Sequence, residues 1–281
     1  MVATTVRSLM SQSLPPEACE ILVVTPDAAA LPPETAGAVR IVSTGILFTP
    51  GKMRNIGAGE ARGKFLCFLD DDCLAPGNLL KDMERILQTR ETVGAVGCRV
   101  VASEANFWNR CADQALFTAY QSEKEGEVGG LGSAALAVRR EAFDAAGGFD
   151  EELLASEDWD FSLKLRSRGW QCWFTSGIEV LHDHRRGNFN AILRSAWQYG
   201  RASGLTVQRR HPEAVSRVAR MMATAAKHRV YWLLILPYSC FLTVVWLFET
   251  RPVKLLPCLP VLFLARLWYQ LGVMQSLQNE H

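Results

Sequence analysis

Short apolar runs alternate with amphipathic segments along most of the chain, which is the pattern of an α/β protein. Predicted strands lie near residues 20–25, 39–43, 64–69, 94–101, 133–138 and 172–181. Predicted helices lie near residues 3–13, 52–62, 77–90, 140–146, 156–168, 188–203 and 212–228. Because strands and helices alternate, the sequence predicts a Rossmann-like, mostly parallel sheet covered by helices.

The C-terminal part differs, because it is almost wholly apolar. Residues 230–248 carry no charge and are long enough to cross a bilayer as one helix, despite Pro237. A second apolar run at 255–274 contains Arg266, and it either returns across the membrane or lies in the interface. The alternative is a hydrophobic hairpin that is buried in a larger soluble assembly.

Basic residues precede the first apolar run and predict its orientation. They are Arg209, Arg210, Arg217, Arg220, Lys227 and Arg229. By the positive-inside rule they place the preceding domain on the cytoplasmic face of the cytoplasmic membrane. The predicted organisation is therefore a globular domain at 1–210, a basic amphipathic connector at 211–229 and a membrane helical hairpin at 230–276.

The composition fits a globular domain joined to an apolar tail. The 281 residues are 49% hydrophobic and carry a net charge of +1, so the chain can bury one large core. Its charge gives no overall polyanion-binding character, which argues against a nucleic-acid partner. The eight cysteines form no Cys-x-x-Cys pair, and we expect buried free thiols in a reducing compartment and no zinc site.

The most informative segment is 64–72, where an apolar strand ends in three consecutive aspartates. The acids would lie past the carboxyl end of a central strand, where open α/β sheets bind ligands. Neighbouring carboxylates repel one another, and a divalent cation with phosphate oxygens from a substrate would relieve that repulsion. A solvated turn, supported by Pro76 and Gly77, is the alternative explanation.

A second acidic segment opens the helix predicted at 156–168. Its first turn contains Glu157, Asp158 and Asp160, which complement the helix dipole and need no other explanation. A carboxylate at the mouth of a helix, held near a cleft by the preceding glycine pair, is also well placed to take a proton from a substrate hydroxyl.

These segments resemble the motifs of family 2 glycosyltransferases of the GT-A fold, over roughly residues 1–210. The matching motifs, in chain order, are Met53-Arg54-Asn55-Ile56-Gly57, Phe68-Leu69-Asp70-Asp71-Asp72, Gly148-Phe149-Asp150-Glu151 and Glu157-Asp158-Trp159. Several motifs in the family's order are more specific than any one of them. The resemblance implies a GT-A-type nucleotide-diphospho-sugar transferase domain followed by C-terminal transmembrane helices.

The resemblance also assigns roles on the donor side of the site. Asp72 would contact a metal ion, Mn²⁺ or Mg²⁺, and Asp70 would face the sugar and ribose of the donor. Arg54, Asn55 and Asp71 would contribute to donor binding.

Two further donor-side residues match the family less closely. Asp27 follows the strand at 20–25, where the family holds the nucleotide base or ribose, but the usual Asp-Asp-x-Ser turn reads Thr25-Pro26-Asp27-Ala28 here. His182 follows the strand at 172–181, where many relatives have a histidine or basic residue that helps to hold metal or diphosphate. A histidine that ends a strand and bonds to a neighbouring carboxylate is the structural alternative.

On the acceptor side, the resemblance implies that Asp158 is the catalytic base with Glu157 beside it, and that Gly148 and Trp159 face the acceptor. A sugar that leaves a nucleoside diphosphate develops charge on the departing phosphate, which a metal at Asp72 would neutralise. Direct attack by the acceptor hydroxyl on the anomeric carbon inverts the configuration of that carbon.

The implied function is a membrane-anchored, metal-dependent inverting glycosyltransferase. It would move a sugar from a nucleotide-diphospho-sugar donor to a hydroxyl of a lipid-linked or polysaccharide acceptor. A non-catalytic membrane subunit that keeps the fold is one alternative. A carboxylate–metal phosphoryl-transfer enzyme is another, although no Thr follows Asp70-Asp71-Asp72-Cys73-Leu74.

One departure from the family concerns the first strand. Family members begin with an apolar strand, whereas this sequence begins within the helix predicted at 3–13. We therefore expect a gap in the sheet beside residues 21–24.

Overall fold

The computed structural model describes residues 2–27, 37–122, 124–203, 210–211, 221–222, 225, 231–250 and 253–278. The chain forms two compact units. The first comprises Met1–Ser103 with Ala119–His184, and the second comprises Glu104–Thr118 with Arg185–His281.

The described strands and helices follow the chain in an α/β order. The strands are β1 Leu22–Thr25, β2 Arg40–Ser43, β3 Phe65–Leu69, β4 Cys73–Leu74, β5 Val93–Ala102, β6 Gly126–Val128, β7 Ala135–Arg139 and β8 Gln171–His182. The helices are α1 Val2–Met10, α2 Pro50–Glu60, α3 Leu79–Thr89, α4 Phe107–Leu116, α5 Arg140–Ala146, α6 Glu157–Ser167, α7 Phe189–Ser203, α8 Tyr231–Thr250 and α9 Leu259–Gln278. Short 3₁₀ turns lie at Pro16–Ala18, Thr118–Tyr120 and Val253–Cys258.

The main sheet of the first unit has six strands and is mixed, which corrects the prediction of a mostly parallel sheet. Its order is β3-β7-β5-β8-β4, with β6 also paired to β8. Only β5 and β8 are parallel among these described pairs, whereas β7 runs antiparallel to β3 and β5. Alternating strands and helices predict parallel strands only where each helix returns the chain across the sheet. Between β5 and β7 the chain passes through α4 and the short β6, and β7 enters the sheet between β3 and β5 in the opposite direction.

The core of the first unit is centred on β7, which is buried along its whole length. Helices α5 and α6 bring aromatic rings against this strand, and Phe149 and Phe161 lie 4.5 Å apart between ring centroids. Helix α5 ends at Gly147, which has a φ of 75°, so the chain turns sharply towards Phe149. The packed rings fix the position of the segment that leads into α6.

A gap lies in the first unit at the expected place, beside residues 21–24. Among the described strands, β1 pairs with β2 and β3 pairs with β7, and β1 and β3 do not pair with each other. A cavity of about 1030 Å³ lies between them, lined by apolar side chains such as Leu22 and Phe68 and by charged ones such as Arg54 and Asp70.

The second unit consists of helices in its described part. Helices α7 and α9 cross at two glycines, because a Cβ on Gly200 would lie 2.0 Å from the carbonyl oxygen of Tyr269, and one on Gly272 would lie 2.2 Å from that of Trp197. Ile192 on α7 and Leu262 on α9 are fully buried in the same cluster as Cys111 of α4. The glycines therefore allow backbone-to-backbone packing of these helices.

Two segments are long and apolar enough to cross a membrane, by length and composition: Tyr231–Phe248 and Leu256–Ser276. Large apolar side chains on α8 are exposed, among them Leu233 and Phe248, each at 77%. The connector helix predicted at 212–228 lies outside the described residues except for 221–222 and 225, which are helical. The predicted domain limits at 210 and 229 stay predictions.

Candidate active site

Arg54 joins the two acidic segments of the sequence. Its Nη2 lies 2.8 Å from Oδ1 of Asp70, just after β3, and its Nη1 lies 2.5 Å from Oε1 of Glu157 in the first turn of α6. Burial alone would lower the pKa of Arg54, but the charges of Asp70 and Glu157 outweigh burial and raise that pKa. Arg54 is therefore a permanent cation between the two carboxylates.

Helix α2 presents Arg54 because both its start and its inner face are fixed. Thr49 caps the helix by accepting from the N–H of Lys52, and its hydroxyl donates to the carbonyl of Glu151 at 2.7 Å. Pro50 occupies the first helical turn, where a missing N–H costs nothing. The helix is thus tied to the turn that precedes α6.

Asn55 forms a two-way clamp on that turn. Its Nδ2 donates to the carbonyl of Phe149, and its Oδ1 accepts from the N–H of Phe149, both at 2.9 Å. Gly148 has a φ of 70°, and a Cβ there would lie 2.7 Å from Oδ1 of Asn55. Both residues are thus engaged in shaping the turn, and their assignments to donor binding and to the acceptor side stay predictions.

The carboxylate of Asp158 is held by two backbone donors. The N–H of Trp159 donates to Oδ1 at 2.8 Å, and the N–H of Ser133 donates to Oδ2 at 3.2 Å. Burial and the charge of Glu157 raise the pKa of Asp158 to about 6, while Arg54 and the two N–H donors act in the opposite direction. A carboxylate with that pKa is ionised at neutral pH and can still take up a proton.

Ser133 was not predicted from the sequence, because it acts through its backbone. It lies just before β7, and the next residue, Ala134, accepts a hydrogen bond from the N–H of Asp70 at 3.0 Å. The same stretch of chain therefore contacts both the backbone of Asp70, after β3, and the carboxylate of Asp158. Every residue except proline has a backbone N–H, so the sequence does not indicate which N–H contacts Asp158. The contact is seen only in the tertiary structure.

Asp72, Cys73 and His182 form a cluster that could hold a metal ion. Oδ1 of Asp72 lies 3.1 Å from Nε2 of His182, and the ligand atoms of the three residues all lie within 4.8 Å of one another. Pairing of β4 with β8 places Cys73 opposite His182. Burial, followed by the charges of Asp70 and Asp72, raises the pKa of Cys73, which keeps the thiol protonated.

The three remaining predicted residues are Asp71, Asp27 and Trp159. Asp71 is exposed, and partial desolvation together with the charges of Asp72 and Asp70 raises its pKa. Asp27 is exposed after β1, where its N–H donates to the hydroxyl of Thr25 at 3.2 Å. Trp159 is 41% exposed and packs over Gly130, where a Cβ would lie 2.5 Å from the ring. Their ligand-binding roles stay predictions.

A family model described as "Glycosyltransferase like family 2" matches residues 2–200. The chain belongs to this family. The resemblance drawn from the motifs is therefore confirmed, and the family match spans the main sheet, Arg54 and both acidic segments.

Curated relatives match shorter stretches of the chain. The Beta-monoglucosyldiacylglycerol synthase of Trichormus variabilis is 29% identical over 126 residues, 42% of this chain and 26% of that protein. The N-acetylglucosaminyl-diphospho-decaprenol L-rhamnosyltransferase of Mycobacterium tuberculosis is 40% identical over 81 residues, 27% of this chain and 25% of that protein. The matches thus span about a quarter of the length of these relatives.

A solved structure extends the likeness over nearly the whole chain. The mannosyltransferase PcManGT from Pyrobaculum calidifontis, in complex with GDP-Man and Mn²⁺, matches with a TM-score of 0.56 at 16% identity, covering 99% of this chain and 83% of that one. At this identity the likeness shows the fold alone. The predicted α/β fold of the GT-A type is confirmed, with the mixed sheet described above.

Proposed function

We propose that this family 2 chain is an inverting glycosyltransferase that moves a sugar from a nucleotide-diphospho-sugar to a hydroxyl of a lipid-linked or polysaccharide acceptor. The observation that carries the proposal is the state of Asp158, a carboxylic acid with a pKa of about 6. Arg54 forms ion pairs with Asp70 and with Glu157, and so joins the helix that carries Asp158 to the aspartates after β3. The names of two relatives contain lipids, a diacylglycerol and a diphospho-decaprenol, which supports a lipid-linked acceptor.

The reaction needs one proton acceptor and no protein nucleophile. Asp158 takes the proton of the acceptor hydroxyl as the oxygen attacks the anomeric carbon of the donor. The new carbon–oxygen bond forms on the face opposite the leaving group, and the bond to phosphate breaks with its electron pair on the nucleoside diphosphate. Direct displacement of this kind inverts the anomeric configuration. Two fixed N–H donors keep Asp158 in one orientation for the transfer.

The donor side requires positive charge near the diphosphate. Asp72 and His182 offer an oxygen and a nitrogen 3.1 Å apart, a donor pair that suits Mn²⁺, the ion present in the PcManGT structure. A divalent cation held there would neutralise the charge that develops on the leaving diphosphate. Arg54 is already shared by two carboxylates, so in this proposal it acts on the donor by orienting Asp70.

We further propose that the C-terminal helices attach the protein to the cytoplasmic membrane, with the catalytic residues in the cytoplasm. The exposed apolar surface of α8 supports attachment, and the basic residues of 209–229 support the orientation. Attachment to the membrane would place the enzyme on the same surface as a lipid-linked acceptor.

The test compares D158N with D160N in the full-length protein in detergent. Both substitutions remove one negative charge from the first turn of α6, but only Asp158 is the proposed base. Release of nucleoside diphosphate from GDP-mannose and UDP-N-acetylglucosamine is measured with MnCl₂, beside GDP and UDP binding by calorimetry. We expect D158N to lower turnover roughly 10²–10⁴-fold with nucleotide binding retained.

Two outcomes would contradict the proposal. Turnover of D158N equal to that of the wild type would show that Asp158 is not the base. Mn²⁺-dependent nucleotide binding by a wild-type protein that turns over neither donor, with or without added membrane lipid extract, would favour the non-catalytic binding subunit.

A further inference from the structure

The loop at 129–134, between β6 and β7, connects the proposed base with the aspartates that follow β3. Its Ser133 N–H donates to Oδ2 of Asp158 at 3.2 Å, and its Ala134 carbonyl accepts from the N–H of Asp70 at 3.0 Å. A group that fixes this loop therefore also fixes one of the two backbone hydrogen bonds that hold the Asp158 carboxylate.

Tyr120 is the first anchor of the 129–134 loop. Its hydroxyl oxygen accepts a hydrogen bond from the N–H of Ala134 at 3.0 Å, and the ring is 8% exposed. A Cβ on Gly132 would lie 1.9 Å from that hydroxyl oxygen, so any other residue at 132 would push the phenol away. Burial, followed by the charge of Asp158, raises the pKa of Tyr120 well above its usual value, so the phenol stays neutral.

Ser162 is the second anchor, and it lies one turn along α6 from the base. Its hydroxyl oxygen accepts from the N–H of Leu131 at 2.9 Å, and the side chain is 1% exposed. The same hydroxyl lies 2.9 Å from the carbonyl oxygen of Asp158. The loop is thus held on one side by the phenol and on the other by the helix that carries the base.

We infer that Tyr120 is a positioning residue for the proposed base: its hydroxyl holds the 129–134 loop so that the Ser133 N–H stays on the Asp158 carboxylate. This inference rests on the proposed function of Asp158. A hydrogen bond to the ionised carboxylate favours that form, so its presence keeps the base ionised at lower pH than burial alone would allow.

The other groups around Asp158 are unchanged by removal of the phenol hydroxyl. Glu157 faces the carboxylate from the same helix, Arg54 faces it from α2, and Asp70 lies beyond Arg54. In Y120F the Ala134 N–H loses its acceptor and the loop can shift away from Asp158. We expect the acidic limb of the pH–rate profile to move upwards from about 6 by roughly half a pH unit or more.

The experiment records turnover against pH for the wild type, Y120F, S162A and Y199F, each as the full-length protein in detergent with MnCl₂ and GDP-mannose or UDP-N-acetylglucosamine. Y199F is the matched control, since it removes a tyrosine hydroxyl that accepts from Arg186 at 3.1 Å in the second unit. The acidic limb of the pH–rate profile of Y199F should lie at the same pH as that of the wild type. Y120F and S162A should both shift the limb upwards.

Thermal unfolding of each variant separates positioning from general stability. The inference is overturned if folded Y120F and S162A have a lower melting temperature but an acidic limb at the wild-type pH. The proposed function survives that result if D158N still abolishes turnover. If Y120F does not fold, G132A replaces it, because a Cβ at position 132 would lie 1.9 Å from the Tyr120 oxygen and displace the phenol. An unshifted limb in folded G132A would then overturn the inference. If instead D158N keeps wild-type turnover, the proposed function itself fails.

Discussion

Arg54 and Asp70 form an ion pair of 2.8 Å that ties helix α2 to the acidic end of strand β3. The same guanidinium reaches Glu157, next to Asp158, so one cation contacts both acidic segments of the candidate site. This shared cation explains how two acidic segments far apart in the sequence can lie close together without mutual repulsion.

Removal of Arg54 should be costly, because it leaves a buried carboxylate unpaired. The side chain of Glu157 is 8% exposed, and R54M should lower the free energy of unfolding by roughly 3–5 kcal/mol. R62M is the matched control, since Arg62 is 80% exposed beside Glu20 and its loss should change stability by less than about 1 kcal/mol. Chemical denaturation measures both, and equal effects would refute a structural role for the Arg54 bridge.

The raised pKa of Asp158 predicts a cost in stability at neutral pH. The folded-state pKa is about 6 against 3.8 for an ordinary aspartate, so the folded state binds the proton more tightly than the unfolded state. The stability contributed by the neutral acid is lost as the pH rises from 3.8 to about 6. D158N cannot ionise, so it should gain on the order of 1–3 kcal/mol relative to the wild type between about pH 4 and pH 7. A difference that does not change with pH would contradict the raised pKa.

Substitution of Asn55 should affect the stability of the protein more than its affinity for the donor nucleotide. N55A leaves the N–H and carbonyl of Phe149 without their side-chain partners, which should cost roughly 1–3 kcal/mol in unfolding free energy. Binding of GDP or UDP to the folded variant should change little. Loss of nucleotide affinity at unchanged stability would instead support the donor-binding role that the motif predicts.

The cluster of Asp72 and His182 predicts a metal requirement that can be read from binding alone. D72N and H182A should each weaken Mn²⁺-dependent binding of GDP or UDP by roughly 10-fold or more, whereas C73A should have a smaller effect because Mn²⁺ prefers oxygen and nitrogen ligands to sulfur. Calorimetry with and without EDTA measures this. Nucleotide affinity that EDTA does not change would remove the metal from the proposed site.

The exposed apolar side chains of α8 give a direct test of membrane attachment. Leu233 and Leu236 are 77% and 55% exposed, so glutamate at either position would meet water in a soluble protein and lipid in a membrane. L233E and L236E should release protein from the membrane pellet after a carbonate wash, because a charge within the bilayer costs roughly 2–3 kcal/mol or more. Wild-type protein that already appears in the supernatant would contradict attachment.

The sequence located most elements of the first unit because their apolar runs are long. The strand predicted at 172–181 is β8, Gln171–His182, and the helix predicted at 140–146 is α5, Arg140–Ala146. The two-residue strand β4 and the short β6 carry no periodic signal and were missed, as was α4. Strand direction failed for a different reason, since it depends on which strands pair and not on local sequence.

The residue types of the candidate site were predictable, but their connections were not. Acids after a strand and at a helix start can be read from the sequence, which gave Asp70, Asp72 and Asp158. The bridge through Arg54 joins residues 103 positions apart, and the Ser133 contact uses a backbone N–H. Neither leaves a local pattern, so both required the tertiary structure.

The long sequence separations around α2 have a consequence for synthesis on the ribosome. Asn55 and Phe149 are 94 residues apart, and Arg54 and Glu157 are 103 apart. At about 5–20 residues per second, α2 would therefore wait roughly 5–20 s for its partners to be translated. During that interval its inner face and the guanidinium of Arg54 remain open to water and to chaperones. We expect translation speed between these two segments to govern how much of the newly made chain reaches the folded state.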